Sequence, residues 1–263
     1  MVQPTPVSAL AFECRGLALR YRSETTTTIF EGLDLDVPQG QFLTILGGSG
    51  VGKSTLLRIM AGLVPPSDGD VRSHGSALKG APPGVVMVFQ DYSRSLLHWR
   101  TVLANAMLGI ERNMPRKEAK TRAMEVLDLV GLSDSASLHP WQLSGGMQQR
   151  LQIARALAMR PTAILMDEPF GALDAMTKSA LQDQVRRLQE QTGVTFLFVT
   201  HDVDEAIFLG DRCIVMAKRP AIIIDDVLVG LGNSRDQVAT RSSERFLELR
   251  SRLLDGLQHG GKP

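Results

Sequence analysis

Leu17, Leu19 and Tyr21 recur at every second position, as do Leu33, Leu35 and Val37. A period of two marks strands with one buried face. The polar stretch Ser23–Thr28 reads as the loop between them, and Pro38-Gln39-Gly40 as a turn. Alternation then gives way to a continuous apolar run, Gln41–Leu46, which predicts a short buried strand. After a glycine-rich stretch, Leu56, Ile59 and Met60 fall on one face of a helix that Gly62 and Pro65-Pro66 stop. Val85–Phe89 is again continuously apolar and predicts a strand buried on both faces.

From Leu96 to Ala158 no strand pattern recurs. Helices are predicted over Thr101–Ile110, Arg116–Val130 and Ser144–Ala158, with Pro115 in a first turn, Gly131 as a C-cap, and Met147, Leu151 and Ala154 on one face. Strand character returns at Ala163–Met166, Val194–Val199 and Cys213–Met216. Between them Asp174 suits an N-cap for a helix with Ala180, Leu181, Val185 and Leu188 inward, ended by Gly193. A last helix, Glu244–Leu257, carries Phe246, Leu249, Leu253 and Leu257 on one stripe, and the tail HGGKP is expected to be flexible. Strands alternating with helices imply an α/β fold. Its expected parts are a mostly parallel sheet, an N-terminal antiparallel part and an inserted helical subdomain.

Composition excludes more than it identifies. The 263 residues are 43% hydrophobic and carry a net charge of +1, so bulk electrostatics favours neither nucleic acid nor anionic membrane. No apolar run reaches the ~18–20 residues of a membrane span, and MVQPTPVSAL lacks the pattern of a secretory signal. Cys14 and Cys213 form no CxxC and are expected as buried free thiols, which fits a reducing compartment. The five histidines show no metal-ligand spacing; His74, His139 and His259 are expected at the surface or in loops. Trp99 and Trp141 are expected to serve core or subunit packing.

The candidate chemistry starts at Gly47-Gly48-Ser49-Gly50-Val51-Gly52-Lys53-Ser54, followed by Thr55, between a predicted strand and a predicted helix. That is the context of a P-loop. Glycines let backbone N–H groups turn toward phosphate oxygens, and the helix N-terminus adds partial positive charge. Lys53 would reach the β- and γ-phosphates, and Ser54 would offer its hydroxyl to Mg²⁺. A second signal is the strand Ala163–Met166 ending in Asp167 and Glu168. Charge at the end of a buried strand is costly without a purpose. The strand beside the phosphate loop is expected to supply Asp167 to the metal, with Glu168 polarising the attacking water as general base.

Leu143-Ser144-Gly145-Gly146-Met147-Gln148-Gln149-Arg150 opens a helix with an N-cap serine and two glycines, a second place for an anion. One chain has little need of two phosphate cradles for one nucleotide, unless the second closes over ATP held by another copy. LSGGMQQR resembles the signature of the ATP-binding cassette family, and the resemblance covers about residues 8 to 255. It implies a RecA-like P-loop NTPase fold. It also implies a cassette over 8–232, with the helical subdomain inserted at about 93–158, and a C-terminal helix and tail over 233–263. Gln90 resembles the glutamine that touches Mg²⁺ and moves with the membrane partner, and Gly171-Ala172-Leu173-Asp174 the loop that crosses the dimer interface. His201, in THDVDEA, resembles the switch histidine on the γ-phosphate, and Tyr21 the aromatic that stacks on adenine, although it also continues a strand alternation.

Val88–Tyr92, Leu96–Trp99, Thr101-Val102, Met166–Ala175, Phe198–Leu209 and Met216–Pro220 are similar to importer cassettes for nitrate, sulfonates and taurine. His98 and the run Ser93-Arg94-Ser95 depart from that group. The resemblance implies a peripheral ATPase on the cytoplasmic face of the membrane. Two copies would sandwich ATP and Mg²⁺ and act on integral membrane permease subunits, with a periplasmic solute-binding protein as an indirect partner and no nucleic acid. An importer of another small organic solute, such as a pyrimidine or aromatic acid, and a non-transport cassette ATPase are the alternatives.

Overall fold

The computed structural model describes residues 9–22, 26–90, 95–171, 173–217 and 220–260. Residue 8 at the expected domain start, Ser23 to Thr25 of the polar loop, Asp91 to Arg94, Ala172, Lys218-Arg219 and the end of the HGGKP tail lie outside the described residues, while Thr26–Thr28, expected in that loop, begin a strand.

Strands β1 (Leu10–Arg22), β2 (Thr26–Pro38), β4 (Asp68–Ser73) and β5 (Ser76–Ala77) form an antiparallel sheet in the order β2-β1-β4-β5. A second sheet joins β3 (Phe42–Gly47), β6 (Val85–Val88), β7 (Ala163–Asp167), β8 (Thr195–Thr200), β9 (Arg212–Ala217) and β10 (Ile222–Leu228) in the order β10-β9-β3-β8-β7-β6. Its pairings are parallel except β9 with β10. Helix α1 (Lys53–Met60) packs on β3, β7 and β8 and also meets β4, so it lies between the two sheets. The period of two sorts side chains to opposite faces. Leu43 and Ile45 of β3 join the core shared with α1 and the antiparallel sheet, while Phe42 and Leu46 join the core under the other helices.

The insertion carries α2 (Val102–Met107), α3 (Arg116–Leu129) and α4 (Gly145–Ala158), which pack on one another and share a core with the second face of the sheet. Thr101 caps α2, Pro115 stands at the N-cap of α3, and Gly131 turns the chain in the left-handed region at φ 65°. Helix α5 (Ala175–Thr192) is capped by Asp174, whose carboxylate accepts the Thr177 N–H at 3.0 Å. Helix α6 (Val203–Leu209) follows β8, and α7 (Glu244–Gly260) packs on α6, β9 and β10 through Phe246, Leu249 and Leu253. No helix among the described residues is long and apolar enough to cross a membrane.

Several expectations are corrected. The run Val85–Phe89 is not buried on both faces: β6 is the sheet edge, its residues are mostly half-buried, and Phe89 is exposed. Ala180 faces outward, and the inner face of α5 takes Gln182, Arg186 and Gln189 instead. Trp99 and Trp141 are not core residues, being 75% and 67% exposed. Strands β4, β5 and β10 and helix α6 escaped the sequence pattern. Cys14 and Cys213 are buried and free, and burial pushes each thiol up to about 12.

Candidate nucleotide site

The loop between β3 and α1 turns on residues without a Cβ. Gly52 caps α1 at φ 114°, where a Cβ would also stand 2.8 Å from the Ile29 side chain. The turn brings Lys53 back over its own loop: its Nζ donates to the carbonyls of Gly47 at 2.6 Å and Gly48 at 3.0 Å. The Lys53 side chain is 4% exposed, and its ammonium is 4.0 Å from Glu168 Oε1. Burial lowers its pKa, against the pull of Glu168 and Asp167.

The sheet order corrects one expectation. The strand that ends in Asp167 is not beside β3, because β8 lies between them. The contact survives because α1 crosses above all three strands, so Ser54 Oγ donates to Asp167 Oδ1 at 2.7 Å. Burial raises the Asp167 carboxyl above its ordinary range, and the Ser54 hydrogen bond works against it. Glu168 stands at φ 42°, a strained backbone for a residue with a Cβ, and its N–H is held by the Val199 carbonyl at 3.1 Å. The intervening strand supplies the fifth member: His201 leaves the end of β8 and places Nδ1 3.2 Å from Glu168 Oε2.

Lys53, Ser54, Asp167, Glu168 and His201 are therefore one connected group. Gln90 is exposed two residues past Val88, the last residue of β6, which pairs with Met166. Tyr21 is 48% exposed near the end of β1. The hydrogen bonds of the connected group do not extend to Ser144, Gly145 or Gly146. There the Ser144 hydroxyl caps α4 by accepting the Met147 N–H at 3.3 Å. Gly146 is required by close approach, since a Cβ would fall 2.3 Å from Thr177 Cγ2 on α5.

Sequence reasoning missed two connections. Gln152 and Arg155 on α4 reach back to the segment after β6: Gln152 Nε2 donates to Phe89 O at 3.3 Å and Ser95 Oγ at 3.0 Å, and Arg155 Nη1 to Ser95 O at 2.5 Å. Around His201, Lys178 of α5 meets Asp202 and Glu205. The spacing Asp202-x-x-Glu205, an acidic residue three past a capping position, was the available signal.

A family model described as ABC transporter matches residues 30–171. The chain is 42% identical over 253 residues to the uncharacterized ABC transporter ATP-binding protein MJ0412 of Methanocaldococcus jannaschii, covering 92% of both chains. It is also 42% identical over 230 residues to the nitrate import ATP-binding protein NrtC of Synechococcus elongatus; the match covers 86% of this chain and 35% of NrtC's length. Among solved structures, a dimeric post-hydrolysis form of the ATP-binding cassette MJ0796 bound to ADP and Pi aligns with a TM-score of 0.73 at 31% identity, over 83% of this chain and 98% of that one.

Proposed function

This chain belongs to the ABC transporter family, and on that premise we propose that it energises import of a small anion or organic solute of the nitrate class by binding and hydrolysing ATP as a dimer. The observation that carries the reading is the convergence of Lys53, Ser54, Asp167, Glu168 and His201 at the C-terminal edge of one sheet. The nitrate name of NrtC supports the solute class.

In this reading the 47–54 loop and the α1 N-terminus cradle the triphosphate, with Thr55 continuing that cradle and Tyr21 stacking on adenine. Lys53 leaves its loop carbonyls for the β- and γ-oxygens. Glu168 accepts a proton from the water that attacks the γ-phosphorus, and His201 holds the γ-phosphate and that water in line. Ser54 and Asp167, already 2.7 Å apart, together with the Gln90 amide oxygen, form the set of hard oxygen donors that suits Mg²⁺. Bound there, Mg²⁺ supplies charge neutralisation on the phosphate oxygens. Ser144, Gly145 and Gly146 of a second copy close the site. Permease subunits dock near Gln90 and the insertion, on the cytoplasmic face, and receive solute from a periplasmic binding protein.

The test is phosphate release by the purified chain and copurification with membrane permease subunits. Hydrolysis that needs Mg²⁺ and disappears in Lys53→Ala, with a permease retained, supports the reading. Hydrolysis undiminished in Lys53→Ala overturns it.

A further inference from the structure

His201 is carried by a backbone that is fixed on both sides, while its own ring is largely open to solvent. Its preceding neighbour Thr200 donates its hydroxyl to Glu205 Oε2 and accepts the Asp202 N–H at 3.0 Å. Its following neighbour Asp202 caps α6 by accepting the Glu205 N–H at 3.1 Å. Two carboxylates thus flank the histidine, and Glu205 is 4% exposed. One cation answers both: Lys178 Nζ lies 2.7 Å from Asp202 Oδ2 and 3.3 Å from Glu205 Oε1. Lys178 belongs to the first turn of α5, where its N–H bonds the carbonyl of Asp174 at 2.9 Å. That turn follows directly on the segment Gly171–Asp174, and the same turn presents Thr177 to Gly146.

We propose that Lys178 is a positioning residue for His201, coupling the seating of the α5 N-terminus to the placement of the imidazole beside Glu168. The inference rests on the reading of His201 as the group that holds the γ-phosphate and water. A buried carboxylate without its counter-charge is costly, so removing the ammonium frees Asp202 from α5 and leaves Glu205 on α5 through the Gln182 amide alone. The backbone at Thr200 to Asp202 moves with Asp202. A displacement of about 1 Å at a reacting group lowers a rate by up to about 10²-fold. The Lys53 loop shares no hydrogen bond with Lys178, so nucleotide affinity is left alone.

The experiment measures kcat and KM for ATP in Lys178→Met, Lys178→Arg and Asp202→Asn, each with His201 present and with His201→Ala. With His201 present, Lys178→Met is expected to lower kcat about 10- to 100-fold with KM within about twofold, and Lys178→Arg to recover most of it. In His201→Ala the same substitution should change the residual rate by less than about twofold, because its effect acts through the missing ring. Asp202→Asn breaks the pair while keeping a capping side chain, so it should reproduce the loss even if Lys178→Met fails to fold. Equal losses with and without His201, or an unchanged kcat with His201 present, would overturn the proposal. Full hydrolysis in His201→Ala alone would instead overturn the underlying role of that histidine, and this coupling with it.

Discussion

The two parts of the molecule proposed to face the nucleotide are built on opposite plans. In the α/β core, five side chains already engage one another: Ser54 with Asp167 at 2.7 Å, His201 with Glu168 at 3.2 Å, and Lys53 with Glu168 at 4.0 Å. At the start of α4 the exposed Ser144 hydroxyl engages only its own helix, and Gly146 is pressed against Thr177. In the proposed function the first part binds phosphate and moves a proton. The second is a capped helix start, which the proposed function assigns to the site of a second copy. On the proposed function, the difference implies that binding belongs to the core and hydrolysis to the assembly.

The sharpest way to break this division is Glu168→Gln. Hydrolysis should fall by about 10²- to 10⁴-fold, as measured by phosphate release, while equilibrium dialysis shows unchanged ATP binding. Equal turnover by the variant and the parent would remove Glu168 from the role of base. Ser144→Arg attacks the other part. Steady-state turnover should drop by about 10²-fold or more while each monomer still binds nucleotide. A normal rate would show that α4 takes no part in the site. Next in size is Gly146→Ala, which forces a Cβ into the 2.3 Å approach to Thr177. Overpacking of this kind costs about 1–3 kcal/mol, to be read as a lower melting temperature.

Asp167→Asn should act in the opposite direction on stability. Burial holds the native carboxyl above its ordinary range, so a neutral amide relieves the fold, and the melting temperature should rise by about 2–4 °C as Mg²⁺-dependent hydrolysis is lost. A fall in melting temperature would contradict the desolvation argument. The smallest effect concerns the Lys178–Asp202 pair. Burial pushes Asp202 up, but the Lys178 ammonium and backbone N–H groups bring it below the ordinary carboxylate range. Its contribution is therefore fully present above about pH 4 and lost as pH falls through the lower folded value. For Lys178, burial pulls down and the two carboxylates more than reverse it, so its contribution is present below about pH 10.4 and lost as pH rises through the higher folded value. Chemical denaturation across pH should show both flanks flattened in Lys178→Met.

The core part was legible because its chemistry is local. A glycine-rich turn between an apolar run and a helix, and two acids at the end of another run, announce themselves within a dozen residues. The signature turn was legible for the same reason. What escaped depends on partners far along the chain. Strand β4, DGDVRS, buries only Val71 and Ser73, so no apolar alternation marks it, and β10 is an edge strand burying only Val227. Helix α6 is short and buried almost all round, which erases the period of 3.6. Ala180 was drawn inward by its neighbours' spacing, yet the inward positions went to Gln182 and Arg186, whose amide and guanidinium meet Glu205 and Asp211. Sequence distance hid Lys178 as well, since its carboxylates lie more than 20 residues ahead.

The interposed β8 has one more consequence. Neighbouring strands in a sheet stand about 4.8 Å apart, so two intervals put the backbones of β3 and β7 about 10 Å from each other, a distance that Lys53 and Ser54 close from α1. That gap is set by backbone pairing alone and cannot drift as side chains change. The sheet acts as a fixed gauge: its tolerance is cut to one strand's width, and the histidine just past the middle strand stands between the two ends of the scale.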